Sequence, residues 1–317
     1  MGIKNLMKII DRYAPLAISY NKIDKYSNKI LAIDANLMLY KNIYGLRMNG
    51  YDLKNNDLIV THIHTMILKL IAFKKYNITP VFVFDGTPPI IKNTLLEQRG
   101  KTKQQMKQKY DTAVTQDDKK KYYYMRSGIT KEEIEDCKEL INICGFDTIN
   151  SAEESDSQLA LLDHKGLIDF IVTDDMDILI FGGRNLLKNF TVSSQKYIQE
   201  INLQIILQET ELSMLQFIDL ALLLGCDYCT PIKGVGTFGA YKLIKEYGSI
   251  DNLIKNNIIK SDPAFSKAKQ YFINPPTYNI NKLIAPHKIN IDKLTLFLKK
   301  FQFSDKYIEK IIKKFNT

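Results

Sequence analysis

Three short runs constrain this chain more than any other feature. KILAIDA (29–35), PVFVFDG (80–86) and FIVTDDMDIL (170–179) are rich in β-branched and aromatic residues, and each runs into aspartate. Their apolar residues follow one another without polar alternation, the pattern of strands buried on both faces in a parallel sheet. Amphipathic segments separate them, so the chain reads as α/β, a mainly parallel central sheet flanked by helices. The carboxyl ends of such strands open onto one edge, where ligands bind. The acids are expected to gather there.

Between the first two runs, Asp57 to Tyr76 reads as a helix opened by a capping Asp57, with Leu58, His62, Met66, Leu70 and Phe73 near one face. Glu132 to Cys144 reads as a second, and Ser213 to Leu224 as a strongly apolar third that runs into GCDY; the tail from about 250 is helical and basic. Residues 92–130 are polar and weakly periodic, too long for an ordinary connection, and include KTKQQMKQKY and the cluster Tyr122, Tyr123, Tyr124. A mobile helical insertion is expected there.

At 317 residues the chain can bury a sizeable core without a staple. Its four cysteines make no disulfide framework and suit a reducing compartment. No apolar run approaches the roughly 18–20 residues that span a bilayer, and Leu6 stands where a myristoylation motif wants Ser or Thr. An intracellular protein with no membrane partner is expected, in the nucleus or the cytoplasm. Forty-four Lys plus Arg against 35 Asp plus Glu leave a net charge of +9, a balance that favours polyanionic partners such as nucleic acid. The stretch from Lys92 to Arg126 alone holds ten basic residues against four acids.

Against that basic background, seven acids stand at the ends or beginnings of apolar elements: Asp34, Asp85, Glu154, Asp156, Asp175, Asp177 and Asp227. Any one of them alone reads as a helix cap or turn former. As a set they repel one another and resist desolvation, so a basic protein keeps them together only if cations neutralise them. Oxygen-only ligands select Mg²⁺ or Mn²⁺ over zinc. Two such ions about 3.5–4 Å apart can activate water and stabilise the leaving oxygen of a phosphodiester.

The motifs MGIKNLMKII, AIDANLMLY, VFVFDGTPPIIK, AEESD, VTDDMDILIFG and LLGCDYCTPIKGVG occur in that order. Through them the chain resembles the flap endonuclease/XPG family of structure-specific 5′ nucleases over nearly its whole length. The resemblance implies a PIN-like 5′-nuclease core and carries the family's metal-binding role onto all seven acids. Asp34, Asp85, Glu154 and Asp156 would lie mainly around one ion, with Asp175, Asp177 and Asp227 around the other. It implies an N-terminal nuclease region at 1–90, a basic helical arch at 91–130 and an internal nuclease region at 131–225. Residues 226–317 would hold a helix-two-turn-helix element and C-terminal helices, packed with the rest as one catalytic unit. Subfamily motifs disagree: Asp156 makes an E-x-D pair like that of the related exonucleases, whereas TPP after FDG looks like the flap branch. The short interval from Asp85 to Glu154 disfavours the long-spacer XPG repair enzymes.

Lys92 and Arg99 match the family's basic pair at the foot of the arch, which steers the scissile phosphate, and their spacing by seven would place both on one helical face. Tyr40 matches a tyrosine that stacks on a base near the cut, with a core tyrosine as the competing reading. Gly2 matches the buried N-terminus near the site. Gly234 and Gly236 permit close approach of phosphate to backbone at the helix from Thr237, Lys233 and Lys242 would be its phosphate partners, and the resemblance implies a backbone-held K⁺ there. Cys226 and Cys229 form a C-x-x-C that in isolation suggests redox or zinc chemistry, but no second pair completes a zinc site. His62 and His64 would point apart on a helix and form neither a metal pair nor a base.

The expected activity is metal-dependent hydrolysis of DNA at duplex junctions with a 5′ single strand, in replication or repair, by a monomer. A 5′ to 3′ exonuclease, an inactive DNA-binding scaffold and an RNA-directed nuclease are the alternatives. A sliding-clamp peptide is not found in the C-terminal FQFSDKYIEKIIKKFNT.

Overall fold

The computed structural model describes residues 2–126, 128–283 and 286–316, and of residues 94–96, 124, 126 and 316 the backbone alone. The side chains of Tyr124 and Arg126, counted above in the aromatic cluster and the basic stretch, therefore lie outside the described residues. In chain order the strands are β1 (Ile18–Asn21), β2 (Ile30–Asp34), β3 (Lys54–Asn55), β4 (Leu58–Ile59), β5 (Thr79–Phe84), β6 (Asp147–Asn150), β7 (Phe170–Val172), β8 (Asn185–Lys188) and β9 (Ile198–Asn202). The helices are α1 (Leu6–Tyr13), α2 (Ala35–Arg47), α3 (Thr61–Lys75), α4 (Asn93–Thr112), α5 (Gln116–Arg126), α6 (Lys131–Ile143), α7 (Ser155–His164) and α8 (Asp177–Ile180). They continue with α9 (Leu203–Thr210), α10 (Met214–Leu224), α11 (Thr237–Tyr247), α12 (Ile250–Lys255), α13 (Pro263–Ile273), α14 (Ile291–Lys300) and α15 (Asp305–Asn316). None of the described helices is long and apolar enough to cross a membrane.

The chain divides into two units: Met1–Lys25, Asp85–Thr94 and Asn150–Asn281 form the first, and Tyr26–Phe84, Leu95–Ile149 and Lys282–Thr317 the second. In the first unit the strand order is β1–β9–β8–β7, with β7 and β8 parallel and β9 antiparallel to both β8 and β1. In the second it is β2–β5–β6, with β2 and β5 parallel and Asp34 in register with Val83. Helices flank both sets of strands, so the α/β class and its mainly parallel sheet are as the sequence implies. The reason is visible in β2 and β5, whose Leu31, Ala32, Ile33, Phe82 and Val83 are all at most 1% exposed, burial on both faces that unbroken apolar runs permit.

Two expected boundaries are corrected. The helix anticipated from Asp57 begins at Thr61, because Asn56, in a left-handed conformation (φ 50°), and Asp57 form a two-residue turn that pairs Lys54 with Ile59 and Asn55 with Leu58. Asn-Asp favours that hairpin turn, and hairpin pairing takes Leu58 out of the helix. The third run is a strand only to Val172: Asp175 N donates to Thr173 Oγ1 at 3.1 Å, a local turn that ends pairing before α8 opens at Asp177. The other helices stand close to expectation. A Thr130–Glu133 capping box starts α6, and a Ser213–Gln216 box starts α10, which stops at Gly225 with φ +86°.

The second unit buries a charge network at the end of α2. Arg47, 3% exposed, donates to Asp52 Oδ1 and Glu133 Oε1, both at 2.8 Å, and to the Gly128 carbonyl at 2.9 Å. Tyr123 of α5 donates to Asp52 Oδ2 at 2.6 Å and Thr61 of α3 to Oδ1 at 2.8 Å. Burial opposes ionisation of Asp52, but these donors outweigh it and hold its carboxyl below the usual range. His62 is buried beside Asp136, and His64 meets the Tyr307 hydroxyl at 2.9 Å. Neither histidine faces the other, and His62 Nδ1 is buried without a hydrogen-bond partner among the described residues.

Candidate active site

The acids of the first unit are placed by turns at element ends. Asp85 accepts from the backbone N–H of Ser155 at 2.9 Å, the first residue of α7. Gly86 makes this possible: its N–H donates to Glu153 O at 2.6 Å, and a Cβ there would collide with the carbonyls of Ser151 and Ala152. Glu154 stands just before α7, its carboxylate making no cap hydrogen bond, and Asp156 occupies the first turn. Asp175 and Asp177 follow β7, with Asp177 N donating back to Asp175 Oδ1 at 3.2 Å. Asp227 lies in the turn after α10.

Lys92 joins two of these groups. Its ammonium contacts Glu154 Oε1, sits 3.0 Å from Asp227 Oδ2, and lies 5.3 Å from the centre of the Tyr228 ring. Burial opposes the Lys92 charge, but Glu154 and Asp227 outweigh it and raise the pKa. The Tyr228 hydroxyl donates to the other Glu154 oxygen. Burial raises the pKa of Glu154 despite Lys92, and Asp85 adds to the rise. Burial likewise raises Asp175, with repulsion from Asp227 adding to it, and drives Asp177 far above the carboxylate range, where Asp175 and Asp227 repel it further. Asp177 is 3% exposed and its Oδ1 accepts no hydrogen bond among the described residues.

This donor set fits a hard divalent ion. A buried carboxylate oxygen without a donor, beside two more carboxylates and one ammonium, is under-compensated unless a cation supplies the balance. The side chains are not already drawn into a cage: among the described residues no three of His, Cys, Asp and Glu gather tightly enough to hold an ion. Lys92 instead serves as the counter-charge between Glu154 and Asp227.

Gly2 packs against the same group. Its φ is +85°, and a Cβ would run into Asp175 Oδ1 and Asp177 Oδ1. Gly2→Ala is therefore expected to push both carboxylates aside and to lower any turnover that depends on them about a hundredfold, the scale of a 1 Å misplacement. Steady-state assays check this, and unchanged turnover would show that the acids tolerate the shift.

The turn before α11 holds the two glycines singled out in the sequence. Gly234 is left-handed at φ +87°, and Gly234 and Gly236 both face open space where a Cβ would go. Gly236 caps α11 without a side-chain hydrogen bond, leaving the first N–H groups of the helix for an anion, and Lys233 and Lys242 are exposed.

Asp34, Tyr40 and Arg99 belong to the second unit. Asp34 is 7% exposed, ends β2 and caps α2 through Leu37 N at 2.9 Å. Tyr40 is 43% exposed, which removes the core reading, and stacks on Tyr44 with ring centres 4.9 Å apart. Arg99 is exposed on α4. Lys92 ends a one-turn helix (Ile90–Lys92) that runs directly into α4 at Asn93.

Sequence reasoning missed Tyr228 and Lys188. Tyr228 was visible only as a letter in GCDY. Lys188, on β8, donates to the Met176 sulfur at 3.0 Å, and burial lowers its pKa against the pull of Asp175. Nothing separates that lysine from its many neighbours in the sequence.

The XPG N-terminal domain model matches residues 1–106 and the XPG I-region model residues 145–227. Flap endonuclease 1 of Entamoeba dispar is 35% identical over 286 residues, 87% of this chain and 76% of the relative. That of Danio rerio is 36% identical, covering 87% and 75%. Flap endonuclease 1 of Theileria parva is 34% identical over 99% of this chain, which spans 65% of that relative's length. Among solved structures, the catalytic core of Rad2 in complex with DNA substrate matches with TM-score 0.76 at 22% identity, covering 99% and 100% of the two chains. Flap endonuclease-1 from Methanococcus jannaschii matches with TM-score 0.72 at 24% identity, covering 94% and 95%. At these identities the structural likeness concerns the fold.

Proposed function

The chain belongs to the XPG/flap endonuclease family, and from that premise we propose that it is a structure-specific 5′ flap endonuclease. It would hydrolyse DNA phosphodiesters where duplex meets a 5′ single strand, inside the cell, in replication or repair. The observation that carries this reading is the under-compensated carboxylate group around Asp177, beside Lys92, in a chain of net charge +9.

Asp85, Glu154 and Asp156 would hold one Mg²⁺ or Mn²⁺ and Asp175, Asp177 and Asp227 a second, the family pattern adding Asp34. Bound there, the ions would supply charge neutralisation at the phosphate and would lower the pKa of water. The chain's own groups do the rest. Lys92 carries a positive charge already desolvated and aimed by Glu154 and Asp227, so it can meet the negative charge that develops on the phosphate oxygens. Tyr228 fixes the Glu154 carboxylate. Arg99, from the basic helices at 91–130, would assist in gripping the phosphate, and exposed Tyr40 offers a stacking face to any base. Gly2 keeps Asp175 and Asp177 in place. Gly234, Gly236, Lys233 and Lys242 would hold duplex phosphates, with a K⁺ bound by backbone carbonyls of that turn, so shape rather than base identity selects the substrate.

The test is cleavage of end-labelled flap, nick, gap and blunt duplexes, DNA and RNA in parallel, with Mg²⁺ and with EDTA. Flap cleavage at the junction that EDTA abolishes supports the proposal; no cleavage of any DNA overturns it. A 5′ to 3′ exonuclease is the second reading, favoured by Asp156 in the E-x-D pair, and blocking the 5′ end separates the two. Lys92→Ala is expected to lower kcat about 10²–10³-fold, as loss of one charge-stabilising donor does, with flap affinity little changed. Single-turnover assays and anisotropy check it; an intact kcat would leave Lys92 only a structural counter-charge.

A further inference from the structure

The turn that presents Asp227 is closed by two cysteines. Gly225 ends α10 with its Cα packed so closely on Pro231 that a Cβ would collide, which fixes where the turn starts. Beyond it Cys226 and Cys229 face each other in an isolated antiparallel bridge, Cys226 N donating to Cys229 O at 3.1 Å. Asp227 and Tyr228 are the two residues between them. Their thiols are 3.5 Å apart, hydrogen-bonded and not joined. Cys229 is buried, its thiol donating to Leu222 O at 3.6 Å, while Cys226 is half-buried. Cys137 and Cys144 are both buried.

We propose that Cys226 and Cys229 form a reversible disulfide, a redox modification site whose closure disables the neighbouring carboxylates. The consequence for cleavage rests on the nuclease reading above; the disulfide itself does not. The reaction partner is a small-molecule disulfide such as oxidised glutathione. One cysteine thiol displaces a glutathione thiol to give a mixed disulfide, and the second cysteine displaces the other. One S–S bond breaks, one forms, the cysteine pair is oxidised, and two reduced glutathione molecules leave with both protons.

Bridging requires the sulfurs to approach from 3.5 Å to about 2.05 Å. Closing that gap draws together the ends of a turn whose backbone has only two residues to absorb the change. That backbone carries Asp227, which pairs with Lys92, and Tyr228, which holds Glu154. The ring is too small to restrict the unfolded chain much, so the bond gains little stability from loop closure and ordinary thiols reverse it. The C-x-x-C motif thereby finds a use that needs no metal.

The test treats the full chain with oxidised glutathione, blocks free thiols under denaturing conditions, and maps the peptides by mass, with Mg²⁺-dependent flap cleavage measured on the same samples. The expected result is a link between Cys226 and Cys229, Cys137 and Cys144 still alkylated, and cleavage reduced about a hundredfold until dithiothreitol restores it. Cys226→Ser should cleave normally and stay active after the same treatment. Both thiols remaining free, or glutathione retained on Cys226 alone, overturns the site. A bridged protein of undiminished activity, or a Cys226→Ser variant that loses activity equally, overturns the switch. A reduced wild type that cleaves nothing sinks the nuclease reading, and the peptide map still decides the disulfide.

Discussion

Asp175→Ala is expected to cut Mg²⁺-dependent flap cleavage about a thousandfold or more, a loss of at least ~4 kcal/mol of transition-state stabilisation, while flap binding in Ca²⁺ stays near wild type. Asp85→Ala should behave alike, and full turnover by either variant would refute the assignment. The same acids make a second, opposite signature in stability. Burial raises the pKa of Asp175, Asp177 and Glu154 in the folded chain. A carboxyl that holds its proton more tightly when folded stabilises the fold at low pH, and that contribution is lost as pH rises above the unfolded value. In EDTA the thermal midpoint should therefore fall on going from about pH 4 to pH 8, and Mg²⁺ should restore it. Asp177→Asn, which removes the buried charge without changing shape, should flatten that slope and raise the metal-free midpoint by about 2–4 °C per kcal/mol relieved. An Asp177→Asn midpoint below wild type at pH 8 in EDTA would show that the charge is not a burden. Function and stability pull against each other at this position.

Arg47→Ala is expected to destabilise the fold by about 3–5 kcal/mol, because it leaves Asp52 and Glu133 buried without their cation. Domains have only about 5–15 kcal/mol to lose, so urea unfolding will show it plainly. The damage should be local as well: Gly128 O and, through Asp52, Tyr123 both depend on this guanidinium. Faster amide exchange across α5 is the accompanying result. A cost under about 1 kcal/mol would mean the network is solvated.

Much of this site was legible because its acids sit at changes of local structure. Asp34 ends an unbroken apolar run, Glu154 opens a helix and Asp227 follows one, and each transition is written in period and capping chemistry. The third run misled at its far end, since Thr173 and Asp175 close a turn that side-chain hydrogen bonds, not hydropathy, determine. The hairpin at 54–59 was hidden for a similar reason: Asn56 takes a left-handed conformation that a helical reading of Asp57 onward overlooks. Arg47 and Asp52 look like surface residues five apart, and only folding brings Glu133 and Tyr123 to them. Tyr228 had no signal of its own, because a tyrosine in an apolar motif reads as core.

The pairing of the β3–β4 hairpin with the far end of the chain sets when this protein can finish folding. Asn55 donates to Phe301 O at 2.8 Å across 246 residues, and each unit is assembled from three separated stretches of polypeptide. On the ribosome, the early β3–β4 hairpin must wait for α14 and the turn after it before it finds its partner. Such late closure is slow and exposes apolar edges meanwhile. A stop codon placed before α14 would yield not a trimmed protein but an unfinished one.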